Sequence, residues 1–339
     1  MTRQQLGFFT RVLDAAPPAE RYALALEQIR HAETEGYDAV AVAQHHLDGD
    51  EGGLPAPLVF LGHAAAVTSR VRLTTGVITL ALEDPVRVAE DAIVLDHLSG
   101  GRLELGFASG GSPAAFATFG LDFADRRDLF ARKLDTLEAA LAGVELAGGR
   151  ALYPPPGTLA ERLWIATFSE PWAVEAGRRG HGLMLSRTQP RPEGEPDLPL
   201  GALQDRLIDA YLEHLPAGAT PRISVARSVF VADDGARALE LAGTGLRRVA
   251  PFVAATSGRD AAALTAAELV TATDSHVGQP AAVRETLAAD SAVARATHLS
   301  FQVHSIDPPH ADVLRSIELV AREVAPALQP TWDRTPVVT

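Results

Sequence analysis

The sequence contains no cysteine among its 339 residues, which excludes disulfides, thiolate nucleophiles and cysteine-bound metals. Lysines are few, the arginines are scattered, and the net charge is −13. We do not expect a nucleic-acid partner, because neutralising phosphates requires clustered Lys and Arg. No apolar run approaches the ~18 residues of a membrane span, and the first residues lack the apolar stretch of a signal peptide. These absences predict a cytoplasmic protein without a membrane segment.

The sequence does contain a regular alternation of short apolar segments and helical stretches. Eight segments are predicted to be strands: 6–10, 39–43, 71–80, 102–108, 162–167, 182–186, 222–232 and 296–303. Strands that alternate with helices indicate right-handed βαβ crossovers and a parallel sheet. Eight such units predict a closed (β/α)8 TIM barrel of the α/β class. A doubly wound open sheet is the alternative, but its glycine-rich phosphate fingerprint is missing after the first strand.

The chain is predicted to form a single barrel domain with insertion loops over residues 1–339, since no linker interrupts it. The segment 188–199 is rich in proline and polar residues and follows a predicted strand. Long loops of this kind are often functional. We expect a loop there that could act as a lid, with disorder as the alternative.

Two adjacent histidines, His45 and His46, follow the second predicted strand, at the end where TIM barrels carry their active sites. Neighbouring residues on a strand point to opposite faces. No H-x-H or H-E-x-x-H spacing accompanies the pair, so a metal site is not predicted. His45 is a candidate base or hydrogen-bond donor, because an imidazole titrates near neutrality. The alternative is a structural histidine that bonds a backbone carbonyl.

A second candidate site is the segment 167–172, which joins the fifth predicted strand to a helix. The hydroxyl groups of Thr167 and Ser169 and the free amides of a helix start would suit a phosphate group. The alternative is that Ser169 is an ordinary N-cap, with Pro171 in the first turn.

Two further features could contact an anion. Ser109 and Gly110 stand in a glycine-rich turn after the fourth strand, which could also be no more than a tight turn. Arg126 and Arg127 open a helix, where cations oppose the helix dipole. Either an anionic ligand or the neighbouring aspartates would compensate these two charges.

Taken together, these segments resemble the bacterial luciferase-like flavin-dependent monooxygenases. The resemblance is carried by "GYDAVAVAQHH", "DPVRVAEDAIVLDHLSGGRLELG", "FATFGLDFADRRDLF" and "LWIATFSEPWAVEAGRRGHGLMLSR", which follow one another along the chain. It implies a TIM barrel that binds reduced FMN, which a separate flavin reductase supplies. It also implies O2 as co-substrate, a small organic substrate and a homodimer.

The resemblance also implies roles for individual residues. His45 matches the family's catalytic histidine, and Gln44 before it stands where glutamate is common, so both are predicted catalytic residues. Gly76 and Val77 match a non-proline cis peptide bond beneath the flavin ring. Ser109 replaces a phosphate-binding arginine of the luciferases. The predicted flavin-binding residues are Phe9, Thr75, Gly76, Val77, Ser109, Gly110, Arg127, Thr167, Phe168, Ser169 and Arg187, and no metal ligand is predicted.

The deazaflavin F420 is the alternative cofactor in this family. Its tail is polyanionic, and the acidic residues Asp48, Glu51, Glu83 and Asp84 near the predicted mouth would repel it. FMN is therefore preferred. The alternative functions are an F420-dependent oxidoreductase that transfers hydride and a flavin-binding protein without turnover.

Overall fold

The computed structural model describes residues 4–257, 259–303 and 308–328, so the predicted domain span of 1–339 extends beyond them at both ends. Their centre is a parallel sheet of β1 (Gln5–Thr10), β2 (Ala39–Val42), β3 (Arg72–Thr79), β4 (Leu103–Ala108), β5 (Leu163–Ala166), β6 (Gly182–Leu185), β7 (Ile223–Val231), β8 (Ser275–Gly278) and β9 (His298–Gln302). β1 pairs with β2 and β9, while β7 pairs with β6 and β9. Eight strands thereby close into a single-domain barrel, which confirms the predicted fold.

The remaining strand, β8, lies outside the barrel and is not among the eight strands predicted from the sequence. The first part of β7 pairs with β6 and β9, and its last part, Ser228 to Val231, pairs with β8. The four residues of β8 are Ser, His, Val and Gly. Such a short and polar segment lacks the apolar run by which strands are recognised.

Helices surround the barrel and connect its strands. They are α1 (Pro18–Thr34), α2 (Pro57–Val67), α3 (Pro85–Ser99), α4 (Pro113–Thr118), α5 (Arg126–Leu141), α6 (Glu170–Arg178), α7 (Leu200–Glu213), α8 (Gly235–Leu246), α9 (Ala250–Ser257), α10 (Ala266–Ala272), α11 (Pro280–Ala288), α12 (Ser291–Arg295), α13 (His310–Leu319) and α14 (Ala325–Leu328). Ile29, Ile93, Leu137 and Ile317, from four of these helices, are buried in the main core. The apolar core therefore lies between the helices and the outer face of the barrel.

The ends of α3 show how local sequence sets the bounds of an element. The carboxylate of Asp84 accepts hydrogen bonds from the amides of Val86 and Arg87, both at 2.9 Å, and so caps the helix. Pro85 occupies the first turn, where a missing amide has no cost. Gly100 ends the helix with a φ of 70°, a conformation that favours glycine.

The segment 188–199 forms a loop, as predicted, between β6 and α7. Arg191 Nη2 lies 2.6 Å from Asp274 Oδ1, and Glu195 lies 2.6 Å from Arg206 on α7. These ion pairs hold the loop at two points. Thr188 at its start lines the central cavity. A lid function for this loop stays a prediction.

Candidate active site

A cavity of about 690 Å³ occupies the interior of the barrel and reaches the loops that follow the strands. TIM barrels are usually filled at this position by bulky branched side chains. Here the strands contribute some large side chains, such as Trp164 and Met184, but also many small residues to the cavity wall. The small residues are Gly7, Ala39, Ala41, Gly76, Ala166, Ser224 and Ala226. The barrel therefore has room for a ligand in the place of a packed centre.

The peptide bond between Gly76 and Val77 is cis, as the family resemblance implies, and both residues line the cavity. A Cβ atom added at Gly76 would lie 3.5 Å from the ring of Phe9, which also lines the cavity. Thr75 is placed differently, since it is fully buried and is not among the lining residues that the structure describes. Its hydroxyl bonds the backbone of Gly106 on β4 at 3.0 and 2.8 Å.

His45 lines the cavity from the loop after β2, which ends at Val42, so the histidine pair lies beyond the strand. The His45 amide donates to the carbonyl of Leu54 at 3.0 Å. A Cβ atom at Gly52 would lie 2.4 Å from Cδ2 of the His45 ring. Glycine at this position thus lets the loop pack directly against the imidazole and fix its place.

Two arginines share the cavity with His45. Arg11 follows β1 and Arg187 follows β6. The pKa of His45 is lowered to about 4, chiefly by burial and then by the positive charges of Arg11 and Arg187. The imidazole is therefore neutral at pH 7, and it can accept a proton on one nitrogen or donate the hydrogen of the other.

His46 is not a lining residue of the barrel cavity, which fits the expectation that the two histidines differ. Its ring meets Phe119 edge-on, with 5.0 Å between the ring centroids. Burial lowers its pKa. His46 thus packs against the segment after β4 and anchors the loop.

Gln44 lines the cavity, but hydrogen bonds within the protein engage its whole amide. Its Nε2 donates to the carbonyl of Pro55 at 3.1 Å and to Glu83 Oε1 at 2.8 Å. Its Oε1 accepts from the amide of Thr79 at 2.7 Å. Gln44 therefore connects the loop of His45 to the end of β3, so it acts as a positioning residue.

The predicted phosphate corner is assembled at the start of α6. Thr167 Oγ1 accepts from the amide of Ser169 at 2.9 Å, and the two hydroxyl groups lie 3.3 Å apart. Ser169 is the N-cap residue, but its side chain makes no capping hydrogen bond. Pro171 has no amide hydrogen and the Ala173 amide donates to the Ser169 carbonyl. The Glu170 amide and the Ser169 hydroxyl can therefore serve a ligand, since Thr167 and Ser169 line the cavity.

The arginine pair of α5 faces the same cavity. Arg126 donates to the carbonyl of Phe123 at 3.0 Å and lies over its ring. The side chain of Arg127 has no hydrogen bond or ion pair with any residue of the described ranges. Of the two alternatives, the neighbouring aspartates therefore do not pair with Arg127, and this exposed arginine is available to an anion.

The other predicted residues at this end of the barrel also lie in the cavity wall. Ser109 and Gly110 line it. Gly110 has a φ of +85°, and a Cβ atom added to it would lie 2.5 Å from the methyl group of Thr79. Phe168 lines it as well, with 54% of its surface exposed. The turn after β4 is thus both a tight turn and part of the pocket.

At the floor of the cavity lies a polar cluster that the sequence analysis does not identify. Glu104 on β4 pairs with Arg72 on β3 and accepts a hydrogen bond from Trp164 Nε1 at 2.9 Å. Trp164 meets the ring of His298 on β9 edge-on, with centroids 4.8 Å apart. The signal available in the sequence is a charged or polar residue inside an apolar strand, such as Glu104 in "LELGFA".

The described ranges lack two features that would point to other kinds of chemistry. No helix there is both long and apolar enough to cross a membrane. Within the same ranges, no group of three or more His, Asp or Glu side chains is arranged to hold a metal ion.

The family model for luciferase-like monooxygenases matches residues 6–300. This chain belongs to the luciferase-like monooxygenase family. A curated relative is 31% identical over 320 residues, which cover 88% of this chain and 84% of that protein. It is the 4-hydroxyprotoasukamycin monooxygenase of Streptomyces nodosus subsp. asukaensis.

Solved structures of other proteins share the barrel. The oxygenating constituent of 3,6-diketocamphane monooxygenase from Pseudomonas putida, in complex with FMN, has a TM-score of 0.76 and 20% identity, and covers 96% of this chain and 99% of its own. The coenzyme F420-dependent tetrahydromethanopterin reductase of Methanopyrus kandleri has a TM-score of 0.68 and 17% identity, with coverages of 97% and 100%. At such identities these neighbours establish the fold, and both flavin and deazaflavin proteins use it.

Proposed function

We propose that this protein is an FMN-dependent monooxygenase that uses reduced FMN and O2 to oxygenate a small organic molecule. One observation carries the proposal: a single cavity brings together an apolar slot at Gly76–Val77, an open anion corner at α6 and the neutral His45. A flavin mononucleotide has a flat ring at one end and a phosphate at the other. The cavity matches both ends.

The residues present fit the flavin. Ser169, Thr167 and the Glu170 amide at the start of α6 would hold the phosphate, with Arg127 as its counter-charge. Phe9 and the Gly76–Val77 peptide would border the ring system. Such an arrangement needs no metal.

When bound, reduced FMN would supply the electrons that activate O2, and the protein would supply the surroundings. Phe9, Phe130 and Trp172 in the cavity wall would exclude water from the reacting groups. His45 would orient the substrate or take a proton at its free ring nitrogen, because it is neutral throughout the physiological pH range. Gln44 would keep this histidine in place.

An F420-dependent oxidoreductase is the second candidate, because an F420-dependent reductase shares the fold. The acidic residues of the His45 loop argue against it. Asp48 and Glu51 are exposed there, and Glu51 Oε2 lies 3.9 Å from His45 Nδ1. A polyanionic tail that left the barrel past this loop would be repelled.

FMN binding tests the proposal. We expect FMN to bind and F420 to bind far more weakly in fluorescence titrations of the same preparation. In Arg127→Ala combined with Ser169→Ala, the FMN Kd should rise at least tenfold, since each charged hydrogen bond contributes about 1.5–3 kcal/mol. Arg178→Ala is the control: this exposed residue pairs with Glu175 at the other end of α6, so FMN affinity should not change. Binding of F420 without FMN would refute the proposal, and a loss well under ~1 kcal/mol in the double variant would refute the phosphate corner.

Two partners belong to the same proposal. A flavin reductase would deliver reduced FMN transiently, so chemically reduced FMN should support turnover without it.

A second copy of the chain would cover the face of α2 and α3, where Val59 and Leu98 are 78% and 74% exposed. Light scattering should then report a dimer that Val59→Glu with Leu98→Glu converts to a monomer, and a monomeric wild-type protein would contradict this interface.

A further inference from the structure

Arg187 is a cation in the barrel cavity, and no carboxylate of the described residues pairs with it. Its hydrogen bond to another residue of the described ranges is a long one, from Nη1 to Ser228 Oγ at 3.3 Å, and no carboxylate in those ranges forms an ion pair with it. Its pKa is lowered to about 10, first by burial and then by the charge of Arg11. A guanidinium group held in this way is destabilised unless a ligand supplies the missing charge.

Arg11 brings a second positive charge to the same part of the cavity. It donates a hydrogen bond to the backbone carbonyl of Glu51, and the Glu51 carboxylate is its nearby counter-charge. That carboxylate is exposed, in the loop outside the barrel. The cavity wall near the mouth therefore carries the guanidinium groups of Arg11 and Arg187. Among the described lining residues the carboxylate is that of Glu104, which lies at the floor and pairs with Arg72.

The positive charges of Arg11 and Arg187 both act on His45 and lower its pKa. The other charged groups that act on it are His46, which lowers the pKa, and Asp48, which raises it. An anion bound by the arginines would counter the largest electrostatic contributions to this shift. The anion site and the candidate catalytic histidine are therefore one unit.

We propose that Arg187 and Arg11 form the substrate-recognition site of this enzyme, and that the substrate is an organic acid whose carboxylate they bind beside His45. The planar guanidinium fork matches a carboxylate with two parallel hydrogen bonds. The apolar cavity wall would hold the remainder of the substrate. This inference rests on the proposed function, because it names the substrate class of that reaction.

In this proposal, the anion that Arg187 binds is the substrate carboxylate and not the flavin phosphate. The phosphate corner has its own cation in Arg127, on α5. The charge that acts on Arg187 comes from Arg11, after β1, and not from the arginine pair of α5. The cations of the cavity thus form two groups, and a flavin phosphate needs one of them.

A matched pair of probes tests the proposal. Benzoate and the neutral benzamide have the same ring and differ in the carboxylate. Titrations followed by tryptophan fluorescence, with and without FMN, should show benzoate binding at least tenfold more tightly than benzamide. Arg187→Met should remove this preference, Arg187→Lys should restore part of it, and Arg178→Ala should leave it unchanged. The proposal assigns Arg187 to the substrate, whereas the family resemblance implied a flavin-binding role for it. The FMN affinity of Arg187→Met therefore decides between the two assignments, and it should change by no more than twofold.

Imidazole NMR supplies a measurement that does not depend on the choice of ligand. Both Arg187→Met and saturation with benzoate should raise the pKa of His45 from about 4. Equal binding of the two probes, or no benzoate binding, would overturn the proposal. So would a loss of FMN affinity in Arg187→Met, because it would assign this arginine to the flavin. Failure of FMN to bind the wild-type protein, with benzoate preference intact, would instead refute the proposed function.

Discussion

The two ends of the barrel cavity treat charge in opposite ways. At the floor, Arg72 pairs with Glu104, and Glu104 also accepts from Trp164. At the mouth, Arg187 and Arg127 have no carboxylate partner within the described part of the chain. The same residue type is therefore structural at one end and available to a ligand at the other.

This difference shows which buried charges of an enzyme point to its ligands. A buried cation with a carboxylate partner is already compensated, and removal of either partner leaves the other unsatisfied. Arg127 is exposed and costs little without a partner, whereas the desolvated Arg187 costs folding free energy that a bound anion would recover. The cavity wall near the mouth thus offers positive charge to an anion inside the barrel, although the His45 loop outside it is acidic, whereas the charges of the floor are already paired.

The largest effect is expected at the floor. Glu104→Ala should lower the free energy of unfolding by ~3 kcal/mol, because it leaves the Arg72 guanidinium and the Trp164 N–H without their acceptor. Arg187→Met at the mouth should leave this free energy unchanged or raise it. Urea unfolding of both variants measures the contrast. Equal losses in the two would show that the ends of the cavity do not differ in this way.

The barrel itself could be predicted from the sequence, because eight apolar segments alternate with helices and their period is a local property. The cis bond at Gly76–Val77 came from the family resemblance, whereas the position of His45 after the second strand already made it a candidate site residue. Periodicity does not reveal which polar residues are compensated, since that depends on contacts between distant segments. Glu104 and Trp164 are 60 residues apart, and Arg11 and Arg187 follow strands at different positions around the barrel.

Thr75 shows the same limit on a smaller scale. The resemblance places it beside the flavin together with its neighbours Gly76 and Val77. The structure turns its hydroxyl toward the backbone of Gly106 on the adjacent strand. Consecutive residues of a strand face opposite ways, so a motif assigned as a block includes residues that point away from the site.

A smaller effect on stability is expected at Gln44. This residue lies at the mouth, but like the charged groups of the floor it is fully engaged by partners within the protein. Gln44→Glu introduces the residue that is common in the family. A carboxylate cannot donate to the Pro55 carbonyl or to Glu83, and it would place like charges together. We expect a loss of about 1–3 kcal/mol in the free energy of unfolding at pH 7, the cost of unsatisfied buried groups.

The partner residue offers a matched control for this change. Glu83→Gln in the Gln44→Glu background supplies an amide that can donate to the new carboxylate, so it should recover part of the lost stability. Because like charge raises the pKa of the introduced carboxyl group, the penalty should shrink as pH falls and that group becomes a donor. Urea unfolding at pH 5 and pH 7 measures both effects. If Gln44→Glu is as stable as the wild-type protein at pH 7, the hydrogen bonds of the Gln44 amide do not explain why glutamine stands at this position. The reason would then lie in its contact with a ligand in the cavity.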